Sequence, residues 1–530
     1  MSGRPSQQSP ASAPDEREQY HPGSDAMVAA AAPDDAVVPA SPTVAQIVRE
    51  PAREIPVHAA CDVLVVGGGP AGCAAAAAAA RLGAEVILIE RYNHLGGLST
   101  GGLVIWIDRM TDWSGRRVIA GFGAELLEKL PADAVAGAPR ELWGSSDATA
   151  VAYWRERQGA FRNVVTWSPM IDPEWLKLVS AELLRAAGVR FLFHSWVAAP
   201  VREGRRLRGV IFESKEGRRA VLARCVVDAS GDLDVCAGAG AQFEADTKAP
   251  GGGVPHCVNT AWLWAGVDFK RWLAFKRDDP EGYRSLMEHA RETLGFVERP
   301  VVGWRDDLAL FLGPRLSGYS GLSVADLTRV EFESRRRMVA HLDYFRRNAP
   351  GFERAWPVLS APQVGVRHTR RAVGLHRLSV DDWRAGVRHE DEIGVSPPPS
   401  QHFANVSVPY RSLVPRDLDN VLVAGRHIAC DPQSQAFMRE IPQCWMTGQA
   451  AGVAAALVAR GDGSAGALDV AEIRAELRRQ GAYLHPDREE RPAGRDEGAG
   501  DREPASARDQ AAEPIGARQV GGAHASGDRR

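Results

Sequence analysis

Three glycines and one acid within a single stretch have the types and spacing to cradle a dinucleotide. In CDVLVVGGGPAGCAAAAAAARLGAEVILIE, from Cys61 to Glu90, residues Gly67, Gly69 and Gly72 stand in the order Gly-x-Gly-x-x-Gly, with Pro70 and Ala71 between them. Gly67 permits a tight turn, Gly69 lets the backbone approach a pyrophosphate, and Gly72 lets a helix pack closely on a strand. The helix that follows offers unpaired N–H groups and about half a positive charge at its N-terminus. Glu90, about twenty residues on, can accept hydrogen bonds from a ribose diol, and its charge repels a 2′-phosphate. Glycine spacing alone is weak: with 53 Gly in 530 residues, roughly half a match arises by chance. Gly461-x-Gly463-x-x-Gly466 is such a match, following a helical pattern and preceding no apolar helix, and it reads as a loop. At Gly67 the context is complete.

The elements that must position these residues can be read in order. Val63–Val66 is a short apolar strand, a helix runs to about Leu82, and Val86–Ile89 is a second strand, which makes a βαβ unit. Arg91–Val104 packs Gly96, Gly97, Gly101 and Gly102 around Ser99 and Thr100. Such a loop either lies against a flat ligand or is flexible surface; composition leaves both open. His94 and Asp108 are polar candidates beside it, although a lone histidine is more often structural. Arg109–Arg162 reads as an irregular insertion with one helix near Gly123–Leu130. Asp172–Ala187 is an amphipathic helix carrying Leu176, Val179, Leu183 and Leu184 on one stripe and ending at Gly188. Strands over Val189–Phe193, Trp196–Val201, Leu207–Phe212 and Ala220–Val227 are expected to form an antiparallel meander. The last leads into Asp228-Ala229-Ser230-Gly231, a small-residue turn at the carboxyl end of a strand, where open α/β sheets bind ligands.

From residue 246 to about 404 the composition shifts towards Trp, Arg and His. An amphipathic helix over Val324–Arg347 and a break at Pro397–Pro399 fit a second lobe inserted into the first, placed to supply a substrate pocket. The chain returns through a buried strand, Asn420–Ala424, ending on Gly425. Thr447-Gly448-Gln449-Ala450-Ala451-Gly452 is expected to open an Ala-rich helix reaching about Arg460. Residues 1–50 and 486–530 are polar, Pro- or Gly-rich and without periodicity, and read as disordered tails; Ser41–Ile55 could add a short helix and arm.

Composition bounds the class. Hydrophobic content of 45% and charged content of 25% are ordinary for a soluble globular protein, and a net charge of −3 argues for neither nucleic-acid nor membrane-surface partners. Seven cysteines without CxxC pairs point to a reducing compartment, with no disulfide framework and no zinc or other metal site expected. No apolar run reaches membrane-spanning length and no secretory leader pattern is visible, so a cytoplasmic location is expected.

Taken together, several separated motifs resemble the FAD-dependent oxidoreductases of the glutathione-reductase-like, two-dinucleotide-binding-domain type. The similarity is greatest to a large bacterial group distantly akin to the succinate dehydrogenase and fumarate reductase flavoproteins. DVLVVGGGPAG with Glu90 resembles the ADP-binding unit, LGGLSTGG (Leu95–Gly102) the loop beside the isoalloxazine, and VVDASGDLDV (Val226–Val235) a second pyrophosphate-side motif. GVRHTRRAVG (Gly365–Gly374), VPYRSLVPRDLDNVLVAGR (Val408–Arg426) and MREIPQCWMTGQAAGVAAAL (Met438–Leu457) resemble a signature before the return strand and the closing flavin segment. The order of these motifs, over about residues 45–485, is the specific part.

The resemblance implies an α/β fold: a Rossmann-like FAD-binding domain of glutathione-reductase type (51–245 and 405–485) with an inserted α+β substrate or cap domain (246–404). It implies FAD as cofactor, held by Gly67, Gly69, Pro70, Ala71, Gly72, Glu90, Arg91, Gly96, Gly97, Ser99, Thr100, Val197, Ala229, Ser230, Gly231, Gly425, Arg426, Thr447, Gly448, Gln449 and Ala450. Thr447, Gly448 and Gln449 would present a positive helix end to the pyrimidine side of reduced flavin. Flavin hydroxylases and halogenases usually carry Ala-Gly-Asp where this chain has Ala424-Gly425-Arg426. Neither a second dinucleotide turn nor a redox Cys pair is present, so direct NAD(P)H binding is not expected.

The implied activity is hydride transfer between a small organic substrate and FAD, with an electron partner that the residues do not identify. A NAD-dependent enzyme with one Rossmann unit and a protein with structural FAD are the alternatives. Candidate polar groups for catalysis or substrate binding are His427, Arg439, His368, Arg371 and His256. Arg439 could instead bind a flavin phosphate or pair with Glu440, and His368 and Arg371 lie in a cationic run that could be a solvated face. Cys430 and Cys444 read as buried small residues rather than redox centres. Covalent flavin attachment at His94 is an option that a structural histidine would displace.

Overall fold

The structure is a computed structural model describing residues 47–245, 258–316, 318–461 and 463–486. The strand β1 (Val57–Val66) ends in Val63–Val66, buried on both faces, as a central parallel strand requires. After the glycine turn comes α1 (Pro70–Arg81), then β2 (Val86–Ile89), buried along its whole length. Further on lie α2 (Phe122–Glu128) and α3 (Pro173–Ala186). The Asp172 carboxylate caps α3 by accepting from the backbone of Glu174 and Trp175. Residues 47–56 carry no helix.

Next are β3 (Arg190–Leu192), β4 (Trp196–Glu203), β5 (Arg206–Ser214) and β6 (Gly217–Asp228). The expected meander is corrected at its first strand: β3 lies parallel to β2 at the sheet edge, and only β4, β5 and β6 run antiparallel in succession. The helices between β2 and β3 make the connection a crossover rather than a hairpin, and a crossover gives parallel strands.

The inserted lobe begins with β7 (Trp262–Ala265), α4 (Phe269–Asp278) and α5 (Pro280–Leu294). It continues through β8 (Val301–Val302), β9 (Ala309–Phe311), α6 (Val324–Asn348) and β10 (Trp356–Ser360). Its four-stranded antiparallel sheet has the order β8-β9-β7-β10. A separate aromatic core, with Trp262, Trp264, Trp272, Phe311, Phe345 and Phe352, fills it.

The closing segment holds β11 (Glu392–Ser396), β12 (Val406–Pro409), β13 (Val421–Val423), α7 (Pro432–Met438), α8 (Ile441–Arg460) and α9 (Val470–Arg479). The main sheet is seven-stranded, ordered β3-β2-β1-β6-β5-β4, with β13 also on β6. One edge of β6 is shared: Gly217–Leu222 pairs with β5, and Val226–Asp228 pairs in parallel with β13. Asn420 closes the seam where β5 gives way to β13. Its amide donates to the Leu207 and Arg224 carbonyls, and its carbonyl accepts from Leu207 N–H.

The long helix is the second correction. It begins at Ile441 behind Glu440, not at Thr447, and Pro442 occupies its first turn. Thr447, Gly448, Gln449 and Ala450 therefore sit inside a formed helix, their N–H groups spent on the preceding turn. Gly448 and Gly452 instead serve packing. A Cβ on either would run into the carbonyl oxygen of Ala71 or Ala75 on α1, so the two small residues set how closely α8 lies on α1. Among the described residues no helix is long and apolar enough to cross a membrane.

Candidate functional site

The parallel strands β1, β6 and β13 end together at the start of α1. Gly67 has φ +98°, and its N–H donates to the Ile89 carbonyl at 2.8 Å. A Cβ there would stand 2.5 Å from the Ala229 oxygen at the end of β6. Ala229 N–H in turn donates to Val66 at 2.9 Å. The β13 turn arrives from the other side: a Cβ on Gly425 would touch that of Ala71 at 3.1 Å. Gly425 N–H donates to the Thr447 hydroxyl at 3.2 Å, which is what Thr447 contributes here.

This cradle fits a dinucleotide. At Gly72 a Cβ would fall inside the Gly67 carbonyl, so the spacing there is structural. At Gly69, by contrast, nothing lies within 4 Å of where a side chain would start. Gly69 is also the N-cap of α1 and brings no side chain to satisfy the first-turn N–H groups, which leaves Ala71 and Gly72 to meet a phosphate.

Glu90 is buried, and its carboxylate is fixed by Gly68 N–H at 2.6 Å and Tyr92 N–H at 2.9 Å. The strand-end loop of β3 lies alongside, Ser195 N–H donating to the Glu90 carbonyl at 3.1 Å. Val197, two residues further, is half-buried at the start of β4, and the Arg91 guanidinium sits 5.0 Å from both the Tyr92 and Trp196 rings. These groups form one edge of the cradle.

The glycine loop is pinned rather than loose. Gly96 N–H donates to the Gly68 carbonyl at 2.8 Å, and a Cβ on Gly97 would stand 2.8 Å from the Gly69 Cα. The Ser99 and Thr100 hydroxyls turn back onto the Gly96 and Leu95 carbonyls, both at 2.7 Å, so they hold the loop's shape. His94 links the loop to the inserted lobe through Gln363 Nε2, 3.1 Å from its Nε2, while its Nδ1 meets Asn93 at 2.7 Å. Burial lowers its pKa below the ordinary histidine value. Both ring nitrogens being engaged, His94 is built as a strut.

Polar candidates gather around the β13 turn. Arg426 donates to Asp232 Oδ1 at 2.8 Å, which also accepts from the Thr369 hydroxyl at 2.6 Å. Burial would raise the Asp232 carboxyl, but the guanidinium and the hydroxyl outweigh it and hold it below the usual range. Gly231 lies beneath that guanidinium, and Ser230 is turned onto Asp228 at 2.7 Å.

Gln435 joins three neighbours. Its Oε1 meets His368 Nδ1 at 2.6 Å and Arg371 at 3.2 Å, and its amide donates to the Arg426 carbonyl at 2.7 Å. Arg371 is fully buried, donating also to the Cys430 carbonyl and Glu244, which makes it a strut and not a solvated face. His427 is likewise fully buried, its Nε2 2.9 Å from the Asp228 carbonyl, and it braces β6 against β13. Gln449 reaches away from the cradle, accepting from Phe122 N–H at 3.0 Å. His256 lies outside the described residues.

Beside the N-terminus of α8 a charged group remains partly open. Glu440 and Arg439 are 3.6 Å apart, with side chains 26% and 18% exposed. Burial raises the Glu440 carboxyl above its ordinary range and nearby Asp108 adds to this, while Arg439, Arg367 and Arg109 oppose it. Arg109 is itself held by the Pro398 carbonyl at 2.8 Å. Asp232, Gln435 and Glu440 were not singled out from sequence, although Asp232 follows Gly231 directly and Glu440 precedes an Ile-Pro helix start. Cys430 and Cys444 are buried with thiols pushed up to about 12, and among the described residues no cysteine is paired.

A family model described as "FAD dependent oxidoreductase" matches residues 62–477. A curated relative, the tRNA uridine 5-carboxymethylaminomethyl modification enzyme MnmG of Granulibacter bethesdensis, is 44% identical over 73 residues, 12% of this chain and 12% of its own length. Among solved structures, a geranylgeranyl bacteriochlorophyll reductase-like protein from Thermoplasma acidophilum aligns at 14% identity and TM-score 0.40, covering 79% of this chain and 82% of that one. The p-nitrophenol 4-monooxygenase PnpA of Pseudomonas putida DLL-E4 aligns at 14% identity and TM-score 0.42, covering 79% and 84%.

Proposed function

The chain belongs to the family of FAD-dependent oxidoreductases, and on that premise we propose that it moves a hydride between a small organic substrate and FAD, with Glu440 handling the accompanying proton. The reading rests most on one observation: an uncapped helix start with open space at Gly69 adjoins a fixed acid, Glu90, while a partly exposed ionisable group stands at the start of α8. FAD supplies the two-electron chemistry. The chain's part is to hold the pyrophosphate at Ala71 and Gly72, the ribose at Glu90, and the substrate near Glu440.

A carboxyl raised by burial exchanges a proton more readily near neutral pH than an ordinary glutamate. Arg439 and Arg367 are suited to an anionic substrate group, and His368, oriented by Gln435, is the second proton-handling candidate. The proposed boundaries are 51–245 and 405–485 for the FAD-binding domain and 246–404 for the inserted lobe, which brings Gln363 and His368 to the glycine loop and the β13 turn.

The test is anaerobic stopped-flow reduction of the flavin band with a panel of small organic substrates, followed by reoxidation with several acceptors. Glu440→Gln is expected to slow reduction about a hundredfold or more and to remove the acidic limb of its pH profile. A variant keeping that limb removes Glu440 from the proton's path. A flavin that no substrate reduces, and that passes no electrons after dithionite, would make FAD structural.

A further inference from the structure

We propose that His376, Asp382 and His389 form a binding site for a borderline divalent transition-metal ion such as Zn²⁺, made of none of the cradle residues. One donor atom from each residue lies within 4.8 Å of the other two. His376 Nε2 is 3.6 Å from Asp382 Oδ2, and the two imidazole rings meet edge to face at 4.9 Å. Donors around a tetrahedral zinc stand about 3.3 Å apart, given bonds near 2.0–2.1 Å, so a modest closing of side chains completes the geometry.

The ring nitrogens point to a ligand. Nε2 of His376 and Nε2 of His389 are both buried and make no hydrogen bond. A buried nitrogen left so is destabilising, and two of them beside one carboxylate make an arrangement that a cation would satisfy.

The backbone around the three residues is fixed by contacts that owe nothing to a metal. His376 N–H donates to the Arg411 carbonyl at 3.1 Å, and His389 N–H donates to the Ser407 hydroxyl at 3.1 Å. Asp382 is set by a capping box with Ser379, and its carbonyl accepts from Val387 N–H at 2.9 Å. The neighbouring Asp391 is occupied by Arg411 at 2.9 Å, so the fourth position is left to water. Two imidazoles and one carboxylate favour zinc-like ions over Mg²⁺ or Ca²⁺.

The experiment uses the full-length flavoprotein without a histidine tag, stripped with a chelator and titrated with Zn²⁺ against a chromogenic competitor. One equivalent is expected to bind, to raise the melting temperature, and to be matched by no shift with Mg²⁺. His376→Gln and His389→Gln should each weaken binding at least tenfold while flavin content and far-UV dichroism stay unchanged. No stoichiometric zinc, or equal binding by the double variant, overturns the site. Should the variants fold poorly, X-ray absorption on the zinc-loaded native protein decides instead: a nitrogen and oxygen shell with imidazole scattering supports it, and a sulfur shell overturns it.

Discussion

At the scale of single residues, identical amino acids in one motif do different work, and this can be separated by substitution. Gly72 is required by the fold, because a Cβ there collides with the Gly67 carbonyl, whereas Gly69 faces open space. Gly69→Ala is therefore expected to fold, with an apoprotein melting temperature close to that of the parent, while losing flavin affinity at least tenfold. Gly72→Ala should instead give little folded protein. Equal flavin affinity in Gly69→Ala, read by fluorescence titration, would remove Gly69 from the pyrophosphate site. Gly67, Gly69, Gly72 and Glu90 were legible because their spacing encodes a backbone turn, which is local. The surroundings of Arg371 and His427 were not: both were candidates for catalysis or substrate binding, yet Arg371 is buried by Glu244, Gln435 and the Cys430 carbonyl and His427 meets the Asp228 carbonyl, all distant in the chain.

Helices and strands show the same division. Strands β1 and β2, helix α3 and helix α6 were legible from periodicity and capping residues, since the signal and the element occupy the same stretch. The start of α8 was misplaced by six residues because the small-residue run at Thr447–Gly452 resembles a helix N-terminus opening onto a ligand, while its real use is close packing on α1. Gly448→Ala and Gly452→Ala are expected to destabilise the protein by about 1–3 kcal/mol each, as overpacked helix contacts do. Gly461→Ala, whose Cβ would meet nothing nearer than 3.8 Å, is the matched control. Urea denaturation curves check the set. Indistinguishable midpoints would mean that the two helices can move apart freely.

Over the whole molecule, acid bears on the inserted lobe through one buried histidine. His341 in the inserted lobe is fully buried among aromatic rings, 4.4 Å from Phe345 and 5.3 Å from Trp264. Burial lowers its pKa from 6.5 to about 3, the Glu298 backbone offsetting only part of this. Between those values the unfolded chain binds a proton that the folded lobe refuses. Stability is thus fully present above about 6.5 and falls as the pH drops towards about 3, by at most ~1.4 kcal/mol per pH unit from this residue. His341→Phe should flatten that slope in melts taken from pH 7 to pH 4; an unchanged slope would assign acid sensitivity elsewhere. Because both nitrogens of His94 are engaged, acid precipitation is expected to release the flavin into the supernatant, and a yellow pellet would contradict that strut role.

What the sequence determined by itself was the βαβ unit, the acid at Glu90 and the order of motifs that marks the family, because each depends on residues close together in the chain or on their succession. Only the tertiary structure decided the rest. It brought Asp232, Thr369 and Arg426 into one buried ion pair, and it drew His368 and Arg371 onto Gln435. It also turned the helix start expected at Thr447 into a mid-helix contact with α1. These outcomes depend on which distant segments meet and on how much water remains between them. Neither burial nor the partners that offset it can be read from the spacing of residues along the chain.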